Sequence, residues 1–161
     1  MARRLFTAED GYSAADLLQY ARDHLYSAGL LYPQGARCLD SASCLSHVGL
    51  ELLLKAVLLE RKHSFPDEHH LTKLCEAIQS AAPELDLEPG FARILPLLDQ
   101  LFLARYPTLD RQPAVAQGDW PVIQDLARQI EAWLSDETRA TLNSDQILSK
   151  GGRGLTEFRK G

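Results

Sequence analysis

The chain lacks most of the features that mark a metal or catalytic centre on sight. Its three cysteines, Cys38, Cys44 and Cys75, are odd in number and form no CxxC pair. That number and spacing fit reduced, mostly buried thiols better than a disulfide framework or a zinc site. Cys44 and His47 make one C-x2-H pair, but no second pair stands at ligand spacing, so neither a metal nor a cofactor is expected. There is no Gly-x4-Gly-Lys-Ser/Thr loop, no Gly-x-Gly-x-x-Gly, no Gly-x-Ser-x-Gly elbow and no His-Glu-x-x-His. The enzyme classes that these sequences mark are therefore not expected. No uninterrupted apolar run reaches the length of a bilayer span, and no apolar stretch follows Arg3 and Arg4 as in a secretory leader, so a cytoplasmic protein is expected. Positive charge is also short: the net charge of −5 argues against broad nonspecific binding of nucleic acid, while leaving room for a local phosphate site. β-Branched residues are few and nothing alternates with period two between turn signals, so strands are not expected.

What is present is helical periodicity. With 161 residues, 45% of them hydrophobic and 24% charged, the chain suits one soluble domain with a single core. We place that domain at 1–148, followed by a flexible C-terminal tail at 149–161 that contains Lys150-Gly-Gly-Arg-Gly154. The basic tail can touch nucleic acid or simply be solvated. The organising stretch runs from Ser43 to Leu74. Between Val48 and Leu59 only Gly49, Glu51 and Lys55 interrupt the apolar residues, so a helix there must be buried on nearly every side. Ser43, His47, Glu51 and Lys55 recur at steps of four and form one polar stripe, which is either a window to solvent or a site.

Five helices follow from pattern and punctuation. The first is capped by Ser13 and ends near Tyr32, before Pro33 and Gly35; the second starts between Gln34 and Ala36 and runs to about Lys62. Asp67 or Glu68 opens a third, which Pro83 stops. A fourth carries Phe91, Ile94, Leu95, Leu98, Leu101 and Phe102, with Pro96 in its first turn or at a kink. Asp119-Trp-Pro121 starts a fifth, with Asp119 as cap and Ile123, Leu126, Ile130 and Leu134 on its core face; Ala140, Leu142, Ile147 and Leu148 allow one more short helix. The fold class is all-α, an up-and-down helical bundle of about five helices.

Leu52-Leu-Leu-Lys55-Ala-Val-Leu-Leu59, Phe65-Pro-Asp-Glu-His-His70-Leu and Ala104-Arg105-Tyr106-Pro107, in this order, resemble the HEPN domain, the higher eukaryotes and prokaryotes nucleotide-binding family. The resemblance covers roughly Ser13 to Leu134. It implies a bundle of four to five helices, often a homodimer, with the lysine, the histidine and the arginine as the polar positions to watch. Many members resemble metal-independent ribonucleases of toxin–antitoxin and defence systems, which use an arginine and a histidine with four to six residues between them. Others, such as the HEPN domain of sacsin, resemble binding or assembly modules. In this chain none of the five histidines follows an arginine at that spacing, and Asp110 stands where the shortest version of the motif from Arg105 requires histidine. An aspartate there is a poor proton donor at neutral pH. No catalytic residue is therefore assigned.

The candidates for ligand binding are His47, Glu51, Lys55, His70, Arg105 and Tyr106. Each also has a purely structural explanation. Glu51 and Lys55 form an i,i+4 pair worth about 0.2–0.5 kcal/mol on an exposed helix, yet charges on a buried helix must be paired or reach a polar cavity. His70 falls in the first turn of the third helix, where it either bonds a backbone group or lines a cleft beside Lys55; His69 and His63 are expected to be solvated. Arg105 gains from the negative end of a helix, and is equally suited to fork onto a phosphate, with Arg111 nearby. The expected function is a non-catalytic module holding a nucleotide or another phosphate-bearing ligand. The alternatives are a divergent ribonuclease or toxin–antitoxin component, for which the resemblance implies a nucleotidyltransferase-like partner, and a ligand-free dimerisation or docking domain. The resemblance implies a homodimer, expected with the Arg105 end of the fourth helix near its two-fold axis; Leu97, Leu101, Phe102, Leu103 and Tyr106 add to this by giving that helix more apolar surface than one core-facing stripe requires.

Overall fold

The computed structural model describes residues 4–103 and 115–141. Six α-helices and one pair of short strands make up its regular structure: β1 (Leu5–Thr7), α1 (Ala14–Leu31), α2 (Leu39–Lys62), β2 (Ser64–Pro66), α3 (Leu71–Ala81), α4 (Ile94–Leu103), α5 (Trp120–Glu131) and α6 (Asp136–Ala140). The all-α reading holds. The strands pair antiparallel, with Phe6 opposite Phe65. At three residues each they are too short for alternation to be legible, and their pairing joins segments nearly sixty residues apart, which no local pattern reports.

Helix α2 is the axis of the bundle. It packs against α1, α3, α4, α5 and β2, and fourteen of its residues are buried, including Leu50, Leu53, Leu54, Ala56, Val57 and Leu58. Contrary to the expectation from uninterrupted runs, the stretch Ala36–Lys62 is long and apolar enough to cross a bilayer; 78% of its most apolar window is instead buried within the bundle, as suits a central core helix. Close approach of α1 to α2 depends on Gly49, where a Cβ would lie 2.6 Å from Leu25 Cγ and 3.2 Å from the Ala21 carbonyl oxygen. On the other flank, Trp120 stacks on Tyr32 with ring centroids 5.0 Å apart, and Arg22 forks onto Glu131 to tie α1 to α5.

Several boundaries differ from expectation for local reasons. Ser13 caps α1 as read, accepting from the Asp16 amide at 3.0 Å. α2 begins at Leu39 rather than Gln34 to Ala36, because Gly35, at φ +92°, separates two single 3-10 turns before the helix settles. α3 begins at Leu71, three to four residues after Asp67 and Glu68, and His70 is its N-cap in extended backbone rather than a first-turn residue. Pro96 sits in the first turn of α4, where its missing amide costs nothing, and kinks no longer helix. Asp119 occupies the N-cap of α5, but its carboxylate accepts instead from the Ala116 amide and from Arg93. Leu142, Ile147, Leu148 and the expected tail at 149–161 lie outside the described residues.

Candidate functional site

The polar stripe of α2 is not a window to solvent. Ser43, His47, Glu51 and Lys55 are all buried, at 2%, 1%, 6% and 6% exposure. The linker from β2 to α3 and the last turns of α4 lie over them. Burial without partners would be prohibitive for these groups, and the structure supplies partners from α2 itself, from α4, from β2 and from the linker before α3.

His47 Nε2 lies 3.2 Å from Asp99 Oδ1 on α4, and its ring stacks on Phe102, with centroids 4.1 Å apart and planes 6° from parallel. One turn along, Glu51 Oε1 accepts from Lys55 Nζ at 2.6 Å and pairs with His69 Nδ1 at 3.0 Å. The ammonium of Lys55 also faces the Phe65 ring at 5.6 Å. Lys55 is thus matched by a carboxylate of its own helix.

Two carboxylates satisfy the opening amides of α3. Asp99 accepts from the Leu71 amide at 2.7 Å, the Thr72 amide at 3.2 Å and the Thr72 hydroxyl at 2.9 Å. Glu68 Oε1 accepts from the amides of His69 at 3.0 Å and His70 at 3.1 Å, and meets His70 Nδ1 at 2.6 Å. A helix normally begins with unsatisfied donors and a positive end. Here both are met internally, one carboxylate coming from a helix distant in sequence. Burial pushes the Asp99 carboxyl up, but hydrogen bonds from His47, from the Leu71 and Thr72 amides and from the Thr72 hydroxyl outweigh it and hold its pKa below the ordinary value.

The sequence candidates therefore separate. His47, Glu51 and Lys55 come together in one buried network. His70 belongs to Glu68 and does not line a cleft beside Lys55; the histidine that reaches Glu51 is His69, which was expected to be solvated. The side chain of His69 is 57% exposed and that of His70 34% exposed, so both form a lip at the surface. Arg105, Tyr106, Asp110 and Arg111 lie outside the described residues. Asp99 was missed, although it left a signal: an acidic residue at i+4 from Leu95 and i−3 from Phe102, on an apolar helix face, must be answered by donors. Glu68 was read as a charge near a helix start rather than as an acceptor for its own linker.

Beneath the lip, His47, His69, His70, Asp99, Phe102 and Leu103 enclose about 10 Å³, the room of about one water molecule. A nucleotide cannot enter it, so a ligand would rest on the lip. The larger groove of about 700 Å³ runs along α1 past Tyr12, Asp16, Tyr20 and Asp23, and among the described residues no lysine or arginine lines it. It does not suit a phosphate. Among the described residues no group of three or more His, Cys, Asp or Glu side chains could hold a metal ion. Cys75 is buried, and burial pushes its thiol up to about 12, which makes it a packing residue rather than a nucleophile.

Comparison with known families is decisive for this bundle: the model of the HEPN domain matches residues 14–137. The chain belongs to the HEPN family. The match spans the bundle from α1 into α6. No curated protein and no solved structure matches the chain. Within this HEPN domain the polar stripe of the central helix is a closed ion network, and the surface that the network supports is the His69–His70 lip.

Proposed function

We propose that this HEPN domain is a non-catalytic binding module for a nucleotide or another phosphate-bearing ligand, held at the His69–His70 lip. The observation that carries this reading is the pair of part-exposed imidazoles, each fixed through Nδ1 by a carboxylate beneath it, beside Lys73 and the end of α4. With Nδ1 of His70 engaged, its Nε2 is the ring nitrogen that can meet a ligand, while Nε2 of His69 faces Asp67 Oδ1 at 3.7 Å. The chain continues from Leu103 to Arg105 and Tyr106, whose guanidinium and ring suit a phosphate and a base. In this reading His47, Glu51 and Lys55 support the lip from below and do not touch the ligand.

Calorimetric titration with nucleoside mono- and triphosphates tests it. Binding by the wild-type chain, weakened at least about tenfold in Arg105→Ala and in His70→Ala, is expected, on the scale of about 1.4 kcal/mol for one lost charge-assisted contact. No heat or thermal shift with any nucleotide or with inorganic phosphate would sink the reading.

One observation favours a second reading, a divergent ribonuclease. His70 with buried Glu68 is an imidazole–carboxylate pair at 2.6 Å, with the ring part-exposed, the arrangement that orients a general base. Buried His47, at 1% exposure, could not reach a substrate. RNA cleavage by the wild type that is abolished in His70→Ala would establish it; equal cleavage by both would mark a contaminant. The homodimer remains part of the proposal, supported by Leu103, which is 59% exposed at the end of α4, while Leu101 and Phe102 turn inwards. Light scattering reads the mass directly.

A further inference from the structure

We infer that the groove along α1 is a docking seat for the chain's own basic segment 150–160, an interaction apart from the lip and independent of the binding reading above. The groove holds about 700 Å³ beside α1 between Ser13 and His24. Its apolar side is built from buried Leu17 and half-buried Leu52 of α2. Tyr20 stands over it 61% exposed, and Tyr12 is braced edge-on by Phe6 and Phe65, with ring centroids 5.5 and 5.1 Å away. Asp16 and Asp23 add two exposed carboxylates, and Asp23 makes no ion pair among the described residues. Phenol faces and apolar side chains with carboxylates at their edge suit a cation carried on an apolar stem.

Segment 150–160 carries that chemistry. Lys150, Arg153, Arg159 and Lys160 stand against Glu157 alone, with Leu155 and Phe158 among them, in a chain whose net charge is −5. Its charge is therefore opposite both to the groove and to the chain as a whole, and opposite charge favours their encounter. Lysine and arginine lay their methylene stems along apolar surface while their heads meet carboxylates, and a guanidinium also stacks on a tyrosine ring.

The path of the chain brings the two within reach. Tyr32, just past α1, meets Ser46 at 3.3 Å, and Gly49 faces Ala21, so α2 runs back along α1 and its last turns lie beside the first turns of α1. At that end the Ser135 amide and the Thr138 hydroxyl each donate to the Glu60 carboxylate at 2.7 Å, and α6 packs against α1. The described residues thus end at Thr141 near the half of α1 that the groove follows. From Thr141 to Lys150 an extended chain spans up to about 30 Å, while the groove follows roughly 17 Å of helix. A tethered segment meets its seat at an effective concentration on the order of millimolar, so a shallow, open groove is enough.

The test is the rate at which trypsin cuts the full chain after Lys150, Arg153, Arg159 and Lys160, followed by mass spectrometry. The proteins are the wild type, Tyr20→Ala, Asp23→Lys and two controls: Tyr26→Ala, an exposed tyrosine of α1 outside the groove, and Glu76→Lys, an exposed charge on α3. Tyr20 and Asp23 are exposed, so the bundle should melt as in the wild type. Cutting in Tyr20→Ala and Asp23→Lys is expected to be at least about tenfold faster than in the wild type, because only the unseated fraction is cut; both controls should match the wild type. Equal rates in all five proteins overturn the docking. A gain of the same size in Glu76→Lys assigns the effect to overall charge, and in Tyr26→Ala to α1 at large, and either overturns it too. Protection that grows with protein concentration gives the seat to the segment of a second copy and overturns docking within one chain. Fast cutting of the wild type, together with Tyr20-dependent binding of an added arginine-rich peptide, gives the groove to an outside partner and likewise overturns it.

Discussion

Replacing Asp99 by alanine is expected to lower the unfolding free energy by about 3–5 kcal/mol, the cost of removing one partner from a buried charged network. The carboxylate answers four donors at once: the amides of Leu71 and Thr72, the Thr72 hydroxyl and Nε2 of His47. Alanine leaves the start of α3 uncapped and the buried imidazole without its hydrogen-bond partner, while replacing none of the lost contacts. Denaturant unfolding should show the midpoint falling with its slope unchanged. Asp99→Asn, which keeps the shape but turns an amide NH2 toward existing donors, should also be destabilised. A loss below about 1 kcal/mol for Asp99→Ala would mean that the cap is dispensable.

The same carboxylate gives a pH signature. Its folded pKa is held below the ordinary value of 3.8, so folding favours the charged form. The stability it contributes is complete above that ordinary value and is lost as pH falls through the lower folded value. The acid limb of the wild type should therefore be steeper than that of Asp99→Asn, which has no proton to take up at this position. Parallel acid limbs in the two proteins would show that Asp99 does not titrate with unfolding.

A second large effect is expected at the Glu51–Lys55 pair, and here the pattern across variants matters more than any one number. Glu51→Leu strands a buried ammonium and should cost about 3–5 kcal/mol; Lys55→Met leaves the carboxylate with His69 and, at 3.8 Å, His47, and should cost less. The double variant should recover most of the loss, because an apolar pair of similar volume suits a site already walled by Phe65 and the leucines of α2. Additive losses would instead mean that each charge has independent work, as expected if Lys55 met a ligand directly. The cycle therefore bears on function as well as on stability, since in the proposed reading ligand affinity should follow the integrity of the His69 contact and not the charge of Lys55.

Much of the domain was legible from order along the chain. The punctuation by Pro33 and Gly35, the apolar density from Val48 to Leu59 and the Ser13 cap are local facts, and helices are local structures, so α1, α2, α4 and α5 fall close to where periodicity puts them. The spacing of four among Ser43, His47, Glu51 and Lys55 likewise places them on a single polar stripe by helical geometry alone. The order of three short motifs pointed to the HEPN family, and the match over residues 14–137 established it.

What covers that stripe was beyond the reach of pattern, because it depends on contacts between segments far apart in sequence. His47 meets Asp99 across 52 positions, and Asp99 caps a helix that begins 28 positions before it. A cap is ordinarily read from the residue just upstream; here that role passed to a side chain on another helix, which is why α3 starts at Leu71 and not beside Asp67 or Glu68. Likewise the choice between His69 and His70 as the partner of Glu51 turned on the path of a four-residue linker held to its own carboxylate at Glu68. Sequence determined that this protein has a polar seam inside an apolar helix; the fold decided that the seam is closed, because only packing brings buried charges the partners their desolvation requires.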